Sequence, residues 1–321
     1  MEAKRERYKK YSNYLKEKYG EKVYKIPINL PVTCPNRDGQ LGRYGCIFCG
    51  DVGAGFESLK NTLTVKEQLD KNIEYISKKY KAKKFIAYFQ NFTNTYMSIH
   101  SFKECVEKAA QVTDIVEICI STRPDCINRS YLDILSELKE KYGVEISIEL
   151  GLQTVNYKTL KKIKRGHTLA EFVDTMNKIN CYEFETCCHL ILNLPWDDAE
   201  DAIEGAKIIS ALGINHIKLH SLYILKNTEL GRMYEKGEIS IISPKEYVDR
   251  VVNFIDYLNP DIVIQRLAAR APKETTLFCN WDMSWWRIVD MIEDKLEKLD
   301  IYQGKSYDYL NGKAVRKFIK E

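Results

Sequence analysis

The chain has no apolar run approaching the roughly 20 residues that cross a bilayer, and its opening stretch MEAKRERYKKYSNY lacks the apolar core of a secretory signal. Membrane insertion and export are therefore not expected, and the protein reads as cytoplasmic. Internal repeats, low-complexity tracts and glycine-serine linkers are also missing, so nothing marks a repeat array or a flexible tether. Neither charge sign dominates. Lysine and arginine number 49 against 45 aspartates and glutamates, giving +4 and a pI of about 8.3, which permits an anionic partner without demanding one. The 321 residues can bury a large core, as one barrel-like domain or two smaller ones, with one extended domain preferred. Ten cysteines in a reducing compartment read first as thiols, and any that cluster read as ligands before disulfides.

One cluster stands out. Within TCPNRDGQLGRYGCIFCG, Cys34 is followed by Cys46 and then, two residues further on, by Cys49. Three thiolates can hold a [4Fe-4S] cube while leaving one iron without a protein ligand, open to a small molecule. Gly45 and Gly50 flank the tight Cys46–Cys49 turn, where backbone freedom helps. A zinc site would need a fourth ligand, and the next candidates, His100 and Cys105, sit in or near a predicted helix. The remaining alternative is three ordinary loop cysteines.

Residues 1–20 read as a charged helix carrying Tyr8, Tyr11, Tyr14 and Tyr19, and 23–30 as a first strand that runs directly into the cysteine loop. Downstream, β-branched runs at 84–90, 114–122, 143–151, 184–193 and 214–224 alternate with amphipathic helical patterns such as 65–80, 130–143, 169–180 and 198–213. Thr64 and Thr168 are placed as N-caps, and Gly143 and Gly213 as stops. Six βα units predict an α/β fold, a partial (β/α)6 barrel whose loops after the strands carry the chemistry. A helix at 243–259, a strand at 261–267 and a tryptophan-rich helical segment follow. The expected division is an N-terminal basic helix (1–22), the barrel core (23–226) and a C-terminal extension packed on it (227–321).

The motifs PVTCPNRDG, GCIFCGD, YFQNFTNTY, STRPDCI, ELGLQTVN, RGHT, HLILNLP, IKLHSLYILKNT and IVIQRL occur in order between about residues 22 and 267. In these the chain resembles the radical S-adenosylmethionine (SAM) superfamily, its Elp3-like group and, within that, the YhcC/YtqA branch. The resemblance implies a radical SAM barrel with Cys34, Cys46 and Cys49 holding a [4Fe-4S] cluster. It also implies SAM chelated on the open iron and cleaved reductively to a 5′-deoxyadenosyl radical, with an external donor such as flavodoxin or ferredoxin. The implied substrate is a tRNA wobble uridine, with carboxymethylaminomethyl converted to aminomethyl. The alternatives are radical chemistry on a small metabolite or protein side chain, or a non-catalytic iron–sulfur or zinc scaffold.

Such a site needs groups for SAM. YFQNFTNTY offers Gln90, Asn91, Thr93, Asn94 and Thr95 where many relatives carry a GGE-like turn; a polar turn bonded to itself is the competing reading. Glu149 could accept both ribose hydroxyls, Gln153 could follow the same ligand, and Arg165 of the RGH motif could pair with the SAM carboxylate. Ser121, Arg123 and Asp125 lie on the active face by topology, or form a salt-bridged turn. His167 could orient the RGH turn or pack; His189 and Asn193 lie in HLILNLP, where Asn193, Trp196 and Asp197 depart from the relatives' HLI-x-GLPGE. His220 and Tyr223, placed on the sixth strand, face a possible substrate pocket, and QRLAARAPKE replaces the relatives' QRLTGDG. Cys187 and Cys188 should point to opposite faces of their strand, and the other cysteines should be small buried hydrophobes. Of Trp281, Trp285 and Trp286, at least two are expected to pack in the core. RNA contact draws on Lys4, Arg5, Arg7, Lys9 and Lys10 among the tyrosines and on Lys313, Arg316, Lys317 and Lys320 at the other end. No acetyltransferase segment follows the barrel, so acetyl transfer of the Elp3 kind is not expected.

Overall fold

A computed structural model describes residues 6–50 and 55–318; Lys4, Arg5 and Lys320 lie outside them. The order is α1 (Tyr11–Tyr19), β1 (Val23–Ile28), the cysteine loop, α2 (Val65–Tyr80), β2 (Lys84–Phe89), α3 (Ile99–Ala110), β3 (Ile115–Thr122), α4 (Arg129–Tyr142) and β4 (Glu145–Gln153). It continues with α5 (Tyr157–Lys162), α6 (Leu169–Ile179), β5 (Glu185–Ile191), α7 (Ala199–Ala211), β6 (His216–His220), β7 (Tyr223–Leu225) and α8 (Glu229–Glu235). It ends with α9 (Pro244–Tyr257), β8 (Val263–Arg266), β9 (Thr276–Cys279) and α10 (Trp285–Lys298). Seven strands form one parallel sheet in the order β1-β2-β3-β4-β5-β6-β8, and β7 pairs antiparallel with β9. The large sheet is the partial barrel, helices outside, with β1 and β8 as unjoined edges.

Each strand of a covered parallel sheet is buried on both faces, and its parity decides which core it enters. On β2, Phe85, Ala87 and Phe89 join the helix-side core, whereas Ile86 and Tyr88 turn into the barrel. The barrel interior is polar at the same parity: Lys25, Tyr88, Glu149 and Lys218 meet there. Cys188 joins the helix-side core, while Cys187 lies beside Glu149 and His189. Thr64 and Thr168 each complete a capping box, with Glu67 and Glu171, and Gly143 closes α4 at φ +65°.

Three expectations change. The N-terminal helix is Tyr11–Tyr19 only, because residues 9 and 10 run alongside β8, where Ile264 N–H donates to Lys9 O at 2.9 Å. The run 214–224 is two strands: β6 ends at His220, and Tyr223 belongs to β7, held by β9. Of Trp281, Trp285 and Trp286, Trp281 alone packs, its indole N–H donating to Ile242 O at 2.8 Å and its ring against Tyr247. Trp285 and Trp286, in the first turn of α10, are 45% and 57% exposed, because the buried stripe of that helix is Ile288, Ile292 and Leu296.

Candidate active site

The cysteine loop is pinned from within. Arg37 N–H donates to Cys34 O at 2.8 Å and Cys49 N–H to Cys46 O at 2.9 Å, closing a turn around each end of the motif. Ile47, between Cys46 and Cys49, is an apolar peg packed among Ile163, Leu222, Ile224 and Leu230, and its backbone bonds to Ile163 and Leu230. Gly45 takes φ +76°, a conformation that suits glycine.

Each thiol faces an N–H donor. Arg37 Nη1 lies 3.6 Å from Cys49 Sγ, Arg123 Nη1 3.8 Å from Cys34 Sγ, and Arg165 Nη1 and Asn36 Nδ2 each 3.5 Å from Cys46 Sγ. Arg123 is held bidentately by Asp125 at 2.8 and 2.7 Å, and Arg165 donates to Gly151 O at 2.7 Å while its Nε is buried without a partner. The three sulfurs do not form a group within 4.8 Å of one another, whereas one tetrahedral zinc at about 2.3 Å from each would draw them to roughly 3.8 Å. Open spacing, soft thiolates and donors aimed at sulfur fit an iron–sulfur cube. Among the described residues the one tighter group is Glu149, Cys187 and His189, and its carboxylate is already taken by lysines.

The three cysteines open onto one chamber that also presents Gln90, Thr93, Ser121, Arg123, Gln153 and Arg165, and further round the barrel Tyr88, His189, Lys218, His220, Tyr223 and Arg266. Beneath it, Glu149 is completely buried, with Lys25 Nζ at 2.6 Å, Lys218 Nζ at 2.7 and 2.6 Å, Tyr88 O–H at 2.6 Å and His189 Nε2 at 2.9 Å. Burial alone would raise this carboxyl, but Lys218 and Lys25 overcome it and hold Glu149 well below the usual range. Burial pushes His189 down to about 4 and His220 well below the ordinary imidazole value, so both are neutral near pH 7.

Known proteins place this arrangement. Residues 34–209 match the Radical SAM superfamily and residues 214–298 the Radical_SAM C-terminal domain. The chain belongs to the radical SAM superfamily. It is 34% identical to the YtqA protein of Bacillus subtilis (strain 168) over 309 residues, 96% of this chain and 95% of that one. It is 32% identical to YhcC of Escherichia coli (strain K12), over 85% of this chain and 86% of that one. These relatives place it in the Elp3-like group. The fold matches archaeal Methanocaldococcus infernus Elp3 with a TM-score of 0.66 at 16% identity, over 88% of this chain and 64% of that one. This radical SAM enzyme therefore uses a [4Fe-4S] cluster and SAM.

The chamber brings together four of the seven residues expected at SAM: Gln90, Arg123, Gln153 and Arg165. The other three are elsewhere. Glu149 cannot offer its oxygens to ribose hydroxyls, because four side chains already saturate them below the chamber. Asn94 is buried with Nδ2 donating to Phe89 O and Ser121 O, and Thr95 Oγ1 bonds Thr122 Oγ1 and Cys126 O, so both pin the loop after β2. Asn193 is likewise structural, accepting from Leu222 N–H at 2.6 Å, and His167 bonds the Gly151 and Thr168 carbonyls. Several of the terminal groups already have partners: Arg7 pairs with Asp300, Lys10 with Glu293 and Lys313 with Asp308, and Tyr14 and Tyr19 donate to Glu185 and Glu117 at the barrel floor. Arg266 belongs to the QRL motif that the sequence retains, whereas Lys25, Asn36, Arg37, Tyr88 and Lys218 carry no motif-level signal of their own for the site. The signal present was parity, since Lys25 and Lys218 each interrupt an apolar strand.

Gly166 couples the RGH turn to the cysteine loop. It sits at φ +82°, and an added Cβ would collide with Asn36 Oδ1 and lie 3.2 Å from Arg123 Nη2. Gly166→Ala is expected to destabilise the protein by about 1–3 kcal/mol and to lower its iron content after reconstitution. Unchanged iron per chain and an unchanged melting temperature would contradict this coupling.

Proposed function

We propose that this radical SAM enzyme acts on tRNA, converting the carboxymethylaminomethyl side chain of a wobble uridine to the aminomethyl form. Cys34, Cys46 and Cys49 would hold the cluster, which would supply the electron for reductive cleavage of SAM. The chain's own part is positional: Arg123 and Arg165 offer guanidiniums for the SAM carboxylate, and Gln90 and Gln153 offer neutral donors and acceptors. Flavodoxin or ferredoxin is the donor we assign to the electron.

The observation that carries the reading is the open seam of the barrel. Tyr88, Gln90, Lys218 and Arg266 line both the chamber and a second cavity between β1 and β8, whose outer wall includes Tyr11, Lys22, Tyr24 and Glu57, with Lys10 paired to Glu293. An aromatic, basic mouth leading to the cysteines suits a base presented by a polyanion. The resemblance to the Elp3-like group supplies the choice of tRNA.

Comparison of tRNA nucleosides from cells with and without this gene tests it. Loss of the gene should deplete aminomethyl-type uridine and accumulate the carboxymethylaminomethyl form. An unchanged profile sinks the tRNA reading and directs the same chemistry to a metabolite or a protein side chain.

A further inference from the structure

Six cationic side chains border the chamber, Arg37, Arg123, Arg165, Lys218, Arg266 and Arg270, and among the described residues no carboxylate does. Most have counterparts in the protein. Arg37 and Arg165 sit on sulfur and on the carbonyls of Gly50 and Gly151; Arg123 has Asp125, Lys218 has Glu149, and Arg270 has Glu57 at 2.5 Å. Arg266 alone makes no hydrogen bond or ion pair among the described residues.

Arg266 is solvent-exposed at the end of β8, so its guanidinium is open to a ligand arriving from outside. A bulge in β8 breaks the register between Ile217 and Lys218, so that Arg266 becomes the direct cross-strand partner of Lys218. Bulges re-aim side chains beside functional sites, and like charges facing each other across strands are destabilising. Lys25 adds a second buried cation while Glu149 supplies one negative charge, leaving this wall with an excess of positive charge. Beside it, His220 Nε2 is buried with no hydrogen-bond partner.

We propose that Arg266, with Lys218 behind it and His220 beside it, is the seat for a carboxylate of the substrate, the specificity-determining contact at the seam side of the chamber. The guanidinium fork matches a planar carboxylate bidentately, and His220 offers a further polar contact. Both cavities border Arg266, so a group entering through the seam meets it on the way to the cysteines. This rests on the proposed function in one respect: the carboxymethylaminomethyl side chain carries the carboxylate that would sit here.

Calorimetric titration of the reconstituted holoenzyme, saturated with SAM and without reductant, tests the seat with N-acetylglycine, its methyl ester and dimethyl phosphate. SAM seated as proposed would cover the guanidiniums of Arg123 and Arg165 near the cysteines. N-acetylglycine should bind, with the ester and the phosphodiester mimic weaker by about tenfold or more. Arg266→Ala should weaken the acid by a similar factor, and Arg266→Lys should restore part of the binding, with the visible absorption of the cluster reporting that both variants remain loaded. The proposal is overturned if the acid does not bind, if acid and ester bind alike, if dimethyl phosphate matches the acid, or if Arg266→Ala binds the acid like the parent. Carboxylate binding together with an unchanged tRNA profile would keep the seat and remove the tRNA reading; an altered profile with no acid preference would do the reverse.

Discussion

Replacing Cys34, Cys46 and Cys49 together by alanine should abolish both the brown chromophore and formation of 5′-deoxyadenosine from SAM, while leaving the chain folded. The first half follows from the donor set. Three thiols open onto one chamber, each with an N–H donor within 3.5–3.8 Å of sulfur, and no fourth ligand closes a tetrahedral group with them among the described residues. Removing the sulfurs removes every protein bond to iron, so cleavage should fall to background rather than decline by degrees. The second half follows from what holds the loop. Ile47 in its apolar pocket and the backbone bonds to Ile163 and Leu230 do not involve sulfur, and Cys→Ala at one buried and two half-buried positions costs on the order of 1 kcal/mol each. Cys181→Ala is the matched control, since that thiol is exposed and bonds Asn177 O at the end of α6. Iron retained by the triple variant, measured as iron per chain after anaerobic reconstitution, would show that the ligands have been misassigned.

The alternation of strand and helix was legible because parallel strands covered on both faces are continuous apolar runs, as KFIAYF in β2 is. The cysteines were legible because their spacing is local. Glu149 reads from the sequence as a costly carboxylate in an apolar strand, and in the fold its partners are lysines. Its lysines lie 124 and 69 residues away in sequence, and only closing the barrel brings Lys25 of β1 and Lys218 of β6 to it. Asn94 and Thr95 turn toward the protein for a related reason. A polar run after a strand can face a ligand or its own backbone, and here the carbonyls of Phe89, Ser121 and Cys126 claim it. The terminal tyrosines and basic residues read as an RNA-facing set, but Tyr14 and Tyr19 serve the barrel floor, where the buried Glu117 and the partly buried Glu185 need donors.

Glu149→Gln should be the most destabilising single change in the barrel interior, by about 3–5 kcal/mol, lowering the melting temperature by roughly 5–10 °C. The side chain keeps its shape and loses its charge, so Lys25 and Lys218 are left close together, buried and without a counterion. Glu149→Gln combined with Lys218→Met should recover part of that loss, because one of the stranded cations is then gone; a double variant no better than the single one would mean that shape, not charge, is what Glu149 supplies. The sign with pH follows from the depressed carboxyl. Glu149 titrates well below its unfolded value of about 4.3, so its contribution is fully present above that value and is lost as pH falls through the folded one. His189 acts in the same direction at higher pH: held down to about 4, it stays neutral in the fold while the unfolded chain takes up a proton below about 6.5. The parent should therefore begin to weaken below about pH 6.5 and fall more steeply below about 4, where its advantage over Glu149→Gln shrinks. A gap between the two that stays constant down to pH 3 would show that Glu149 is not ionised in the fold. The positive excess on the wall that Arg266 shares would then be larger still.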